Sequence, residues 1–290
     1  MERACERLAR GLRTHVPRNG ISFRLTNGEV LRVGRDCGIG LATGLYWRGI
    51  DSFEPETSRT LRFFFDRAST FIDIGANYGF YALLAAHWNP DIQVVAFEPV
   101  PQIYEGLRRN IELNGLQERI KPYRVALSDR SGPAKLFVPA SESRDYESTA
   151  TLAEGNWQQR KGAPVIELQA LCFSDFELQH PVRLDIVKID VEDHEASVLR
   201  GMQEAILRDR PFIVCEILPR SHHNEKTREI IESLGYTAYW ITASGLIRVT
   251  RFDFERLESE NFLLSPVCGG GEVVTDLEML WSRRRATLAA

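Results

Sequence analysis

The segment Phe71-Ile72-Asp73-Ile74-Gly75-Ala76-Asn77-Tyr78-Gly79 runs from an apolar stretch through a carboxylate into a tight turn. Gly75 and Gly79 carry no Cβ, and Asn77 is one of the few other residues that tolerate a left-handed backbone, so the chain here can bend sharply toward a ligand. Asp73 suits a ligand bearing an ammonium group, met directly or through water. Glu98 closes the next apolar run, VVAFE, where it can accept hydrogen bonds from both hydroxyls of an adenosine ribose. S-adenosylmethionine carries both groups, the ammonium on its methionine part and the ribose in its adenosine. A glycine turn alone could be mere chain punctuation, and Glu98 in phase with Asp73 argues against that. The dinucleotide alternative needs G-x-G-x-x-G, but counting from Gly75 its positions hold Asn77 and Phe80, which disfavours an NAD-dependent oxidoreductase.

A second constellation follows the run LDIVKID. Asp190 ends it, Lys188 shares its face by strand alternation, and Glu192, Asp193, His194 and Glu195 come next. FIVCEI brings Glu216 to the end of a neighbouring strand, beside Asp190. If S-adenosylmethionine is the ligand, methyl transfer is an in-line displacement in which the protein mainly aligns reactants, and an acceptor that carries a proton must lose it as the bond forms. Asp190 is the first candidate base, then Glu216, then His194, with Lys188 in the same group and His222 and His223 on a following loop as a third choice. Glu192, Asp193 and Glu195 suit a helix start equally well through the macrodipole. Asp190, Glu192 and Glu216 could alternatively hold Mg²⁺, although their spacing does not require a metal and none is expected. Val125 and Ala126, in RVAL, are expected beside an adenine, with Asp129 a turn residue. In FEPET, Glu56 or Thr57 reads as a helix cap that could also line the pocket beside Glu54. Tyr46, Trp47, Tyr78, Tyr146 and Trp157 are expected in loops near the mouth.

These residues need a frame that delivers strand ends to one edge. TFIDI, VVAFE, IKPYRVAL, LDIVKID, PFIVCEI, YTAYWI and NFLLSP read as strands, separated by helical GFYALLAAHW, PQIYEGLRRNIELNG, EASVLRGMQEAILRD and NEKTREIIESLG. Alternation of this kind predicts a doubly wound, Rossmann-like α/β fold with a mostly parallel sheet of about seven strands. Residues 1–66 read as an N-terminal extension: a helix over 1–14, a hairpin around Asn27-Gly28 and the helical PETSRTLRFFFDRA. Residues 67–268 form the core, with 131–170 an insertion between the third and fourth strands acting as a lid. In the tail, 269–290, Gly269-Gly270-Gly271 is expected to hinge before a helix, and Arg283 to Arg285 to be a solvated helix end.

At 290 residues, with a formal net charge of −4, 43% hydrophobic and 26% charged residues, the chain has the balance of a globular protein and no signature of a nucleic-acid or membrane partner. The N-terminal residues lack an apolar run, and five cysteines without C-x-x-C spacing point to a reduced, cytoplasmic protein without a zinc ribbon.

Taken in order, FEPET, FIDIGANYGFYALLA, VVAFEPVPQIYEGLRRNIELNGL, ALSD, DIVKIDVEDHEASVLRGM and VCEILP resemble the FkbM-type methyltransferases over roughly 54–265. The resemblance implies a class I methyltransferase fold, S-adenosylmethionine as cofactor and a hydroxyl oxygen of a small molecule or glycan as acceptor. The family usually has glycine after D-V-E, whereas this chain has Asp193. That departure leaves a non-catalytic cofactor-binding scaffold as an alternative.

Overall fold

A computed structural model describes residues 20–34, 39–137, 152, 165–219, 221, 223–252 and 260–278. The expected helix over 1–14, together with Tyr146, Trp157, His222 and Arg283 to Arg285, lies outside them.

The described chain opens with the hairpin β1 (Ile21–Arg24) and β2 (Val30–Val33), then α1 (Ile39–Arg48), a 3-10 turn (Ile50–Ser52) and α2 (Pro55–Phe65). The core alternation is β3 (Thr70–Ile74), α3 (Phe80–Trp88), β4 (Gln93–Phe97), α4 (Pro101–Leu113) and β5 (Ile120–Tyr123). There follow β6 (Ala126–Ser128), β7 (Gly132–Phe137), β8 (Val165–Cys172) and α5 (Phe173–Gln179). The alternation resumes with β9 (Ile186–Ile189), α6 (Glu195–Gly201), α7 (Gln203–Asp209), β10 (Phe212–Glu216) and α8 (Asn224–Ser233), and closes on β11 (Tyr236–Thr242), β12 (Gly245–Val249) and β13 (Asn261–Pro266).

The main sheet has eight strands in the order β12-β11-β13-β10-β9-β3-β4-β5. From β5 to β10 the strands are parallel, and β13, β11 and β12 join antiparallel. Starting at β3 the chain walks outward through β4 and β5, then returns to β9 on the other side of β3. The C-terminal ends of β3 and β9 therefore flank a switch point, where open α/β sheets bind ligands. Alternation sends Phe71 to the face packed by α2, where its ring lies 5.0 Å from that of Phe65. Ile72 and Ile74 go to the opposite face with Val198 and Leu199 of α6. Asp73 follows Phe71, Lys188 follows Ile186 and Glu216 follows Val214, so three charged side chains share the α2 and α3 face. Helix α3, buried from Phe80 to His87, is apolar nearly all round for this reason.

The structure departs from the sequence expectation at four places. The eighth strand is β12, which hairpins off β11 through Ala243-Ser244. RVAL does not continue the third core strand: β5 stops at Tyr123, and Ala126–Ser128 enter a separate three-stranded sheet of order β6-β8-β7, built mostly from the ends of the 131–170 segment. EASVLRGMQEAILRD is two helices divided at Met202, where a Cβ on Gly201 would lie 2.1 Å from the Ser128 carbonyl oxygen. The small residue lets the second sheet sit directly on α6. Gly269-Gly270-Gly271 forms a packed turn, since a Cβ on Gly270 would meet Ser265 Oγ at 2.2 Å. Residues 271–278 are then helical, with Val274 and Leu277 buried in the core.

Candidate active site

The turn after β3 is built as its residue types require. Gly75, Asn77 and Gly79 have φ of 78°, 54° and 86°. The space a Cβ would need is taken by the protein itself. At Gly75 it would fall 1.7 Å from the Asp190 carbonyl oxygen, and at Gly79 2.4 Å from Leu107 Cδ1. The glycines therefore bring β3 against β9 and α3 against α4, and the open turn follows from that packing. The Gly75 and Ala76 amides donate to the Phe97 carbonyl (3.0 and 2.9 Å), tying the turn to the end of β4.

Glu98 is 5% exposed. Its Oε2 accepts from the Asn77 amide (3.0 Å) and its Oε1 from the Val100 amide (2.9 Å). Each oxygen keeps a further lone pair, and burial pushes the carboxyl up to about 7. Asp73 is only 1% exposed; the Ala82 amide faces it, but neither carboxylate oxygen accepts a hydrogen bond of full geometry. Burial raises it to about 6 against the pull of Lys188. A buried acceptor pair without donors is costly, and an ammonium group or water would relieve it. Val125 is half-buried in the link from β5 to β6, and Ala126 is buried at the start of β6.

Lys188 stands at the centre of the charge cluster. It is 2% exposed, its Nζ is 2.7 Å from Asp190 Oδ2, and it lies 5.0 Å from the centre of the Tyr81 ring. Burial works against its charge, but Asp190, Glu54 and Asp73 outweigh burial and raise its pKa. Burial also pushes Asp190 up, and there Lys188 prevails and holds the carboxyl below its usual value. Glu216 goes the other way: burial, with the Asp190 charge next, lifts it well above the carboxylate range, and its Oε2 is buried without a hydrogen-bond partner. Oxygens of Asp190, Glu192 and Glu216 lie within 4.8 Å of one another, close enough for a cation to bridge, and the Lys188 ammonium already brings positive charge to Asp190.

Glu54, Tyr81 and Asn261 complete this cluster. Glu54 precedes α2 in a left-handed conformation (φ 38°) without a side-chain capping bond. Instead its Oε2 accepts from Tyr81 Oη (2.8 Å) and Asn261 Nδ2 (3.2 Å). Glu56 and Thr57, expected as caps, lie inside the first turn, which begins at Pro55. Tyr81 was hidden in an apolar helix. The signals available were a hydroxyl amid GFYALLAAHW and an asparagine opening NFLLSP.

The residues after Asp190 diverge from it. Glu195 is buried and accepts from the Asp193 (3.1 Å) and Val191 (3.4 Å) amides, so it braces the loop; burial raises it to about 8. His194 turns to Ser128 Oγ at 2.9 Å, and burial lowers it to about 4, leaving a neutral imidazole. Asp193 has φ 78°, the conformation for which glycine is suited, and its carboxylate accepts from the Ser221 hydroxyl and lies 3.6 Å from His223 Nδ1. Those contacts offset the backbone strain of an L-residue there. Asp193, His194 and His223 border a cleft of about 1340 Å³ between α6, the start of α8 and the three-stranded sheet. Tyr46 and Trp47 are exposed on α1, whereas Tyr78 is buried.

A family model for the methyltransferase FkbM domain matches residues 73–238. Methyltransferase sdnD of Sordaria araneosa is 27% identical over 187 residues, covering 57% of this chain and 72% of that protein. The hexuronic acid methyltransferase AglP of Haloferax volcanii is 28% identical over 145 residues, covering 50% of this chain and 54% of its own length. The 31-O-demethyl-FK506 methyltransferase FkbM of Streptomyces tacrolimicus is 28% identical over 155 residues, covering 46% and 59%. Among solved structures, methyltransferase FkbM from Methylobacillus flagellatus superposes with a TM-score of 0.44 at 15% identity, over 68% of this chain and 43% of that one. The family match begins on Asp73, spans Glu98, Lys188, Asp190 and Glu216, and covers more than half of the 290 residues, so the chain belongs to the FkbM-domain methyltransferases.

Proposed function

We propose that this methyltransferase uses S-adenosylmethionine to methylate a hydroxyl oxygen of a small molecule or glycan. The observation that carries the reading is the pairing of a donor-starved, buried Asp73 with Glu98 across the left-handed turn at the switch point. Asp73 offers acceptor oxygens to the methionine ammonium, and Glu98 its remaining lone pairs to the ribose hydroxyls. Val125 and Ala126 flank the adenine, and Gly75, Asn77 and Gly79 shape the turn. Bound there, S-adenosylmethionine supplies an electrophilic methyl with its own leaving group. Asp190, engaged by Lys188, is a weak base that orients the acceptor. Glu216 in its ionised form, the more basic of the two carboxylates, would take the proton of the acceptor hydroxyl as that oxygen is methylated. His194, neutral and turned to Ser128, takes no part in this transfer.

The names of two relatives, with a hexuronic acid and 31-O-demethyl-FK506 as substrates, support this acceptor class. Among the described residues no helix is long and apolar enough to cross a membrane. We place the protein in the cytoplasm with no nucleic-acid or membrane partner. Calorimetric titration with S-adenosylmethionine, S-adenosylhomocysteine and NAD tests the cofactor. Binding of both adenosyl sulfur compounds and not NAD, weakened about tenfold or more in Asp73→Ala and Glu98→Ala, is expected. Binding of NAD alone, or of none, overturns the reading.

A further inference from the structure

The cleft bordered by Asp193, His194 and His223 has a charge pattern of its own. The chain carries a formal net charge of −4, yet four cations border this cleft: Arg130, Lys135, Arg200 and Lys226. Three acids face them, and two of these are engaged: Asp129 pairs with Arg200 (3.5 Å) and Asp193 is held by Ser221 and His223. The third, Glu167, stands opposite Lys135 in the β7–β8 register without closing an ion pair. Arg130, Lys135 and Lys226 are thus left without an ion-pair partner among the described residues. They come from three separate places, the turn after β6, strand β7 and helix α8, and all three, exposed, border one cleft. Asp193 and His194, on the loop that follows Asp190, line the cleft, whereas Lys188, Asp190 and Glu216 do not. Both its histidines are already hydrogen-bonded within the protein, His194 to Ser128 and His223 to the Asp193 carbonyl.

Resting on the methyl-transfer reading above, we infer that the acceptor is an anion, carrying a carboxylate or phosphate that Arg130, Lys135 and Lys226 hold in this cleft. Among the described residues four cations face three acids, so the lining of this concave site is net positive; an anion supplies the missing charge, and the cleft concentrates the field that draws it in.

The test titrates the full chain, saturated with S-adenosylhomocysteine, with methyl glucuronide, glucose 6-phosphate and methyl glucoside at low and high salt. At least one anionic probe binds, more weakly at high salt, and its affinity falls about tenfold or more in Lys226→Glu and in Arg130→Glu. The glucoside does not bind, and both variants keep the wild-type affinity for S-adenosylhomocysteine and the wild-type melting temperature. Equal binding of the glucoside, indifference of both variants, or no anionic binding to the cofactor-loaded protein overturns the inference and leaves the methyl-transfer reading intact. Weakened S-adenosylhomocysteine binding in the variants assigns these cations to the cofactor and also overturns it. A wild-type chain that fails to bind S-adenosylhomocysteine defeats the underlying reading instead.

Discussion

Replacing Lys188 with methionine preserves much of the side chain's volume and removes its charge from a site that is 2% exposed. Solvent screens only part of what remains: an Asp190 carboxylate, 25% exposed, that has lost its 2.7 Å partner, with Asp73 and Glu216 on the same sheet face. Breaking one side of a buried ion pair costs about 3–5 kcal/mol, and the lost contact with the Tyr81 ring adds about 1 kcal/mol. The cost depends on pH with a definite sign. In the wild type the Asp190 carboxyl lies below its ordinary value, so its contribution is present above the unfolded pKa and is lost as pH falls through the folded one. In Lys188→Met the Glu216 hydrogen bond alone opposes burial at Asp190, its folded pKa moves above the unfolded value, and its contribution is lost as pH rises. Urea unfolding should therefore show a stability gap between the two proteins that widens from about pH 5 to about pH 8 and reaches about 3 kcal/mol or more. A gap below about 1 kcal/mol, or one independent of pH, would refute the assignment of Lys188 as the counter-charge of this cluster.

Gly75→Ala should cost more than about 4 kcal/mol, because its Cβ would sit 1.7 Å from the Asp190 oxygen at φ 78°. Gly115→Ala, at φ 68° with nothing within 4 Å, should cost only about 1 kcal/mol, and similar urea midpoints for the two would contradict the close-approach argument. Asp73, Glu98 and Glu195, raised to about 6, 7 and 8, contribute stability that is complete below their unfolded values and lost as pH rises through those folded ones. Their share of the melting temperature should fall between about pH 5 and 8, and Glu195→Gln, which keeps the loop's acceptor oxygen, should flatten that fall. Glu216→Gln should lower kcat by roughly 10²–10⁴ while S-adenosylhomocysteine affinity stays near wild type; an unchanged kcat would remove Glu216 as the base.

The parallel core was legible because strands buried on both faces show as apolar runs, and each ends on a residue that breaks the run: Asp73, Glu98, Asp190, Glu216. The positive φ at Asn77 followed from residue type alone. What could not be read was set by contacts distant in sequence. Asn261 and Glu54 meet across 207 positions, and nothing local to either marks the other. His194 was chosen for its titration range, but burial and Ser128 decide its state. The division of α6 from α7 follows from the carbonyl of Ser128, a neighbour that only the tertiary fold brings near Gly201. Ala126 changes sheets because β8, more than thirty residues onward, offers it a partner.

The position of β13 bears on how the protein is made. It is the last strand of the sheet to leave the ribosome, yet it lies between β10 and β11, pairing with both. Until residue 266 has emerged, the nascent chain exposes an open edge on β10 and a β11–β12 hairpin with nothing to join, each a template for pairing with a neighbouring chain. The sheet is therefore completed at an interior position, and late in synthesis. A polypeptide ending at residue 238 would carry the whole family match and still lack the strand that closes its sheet.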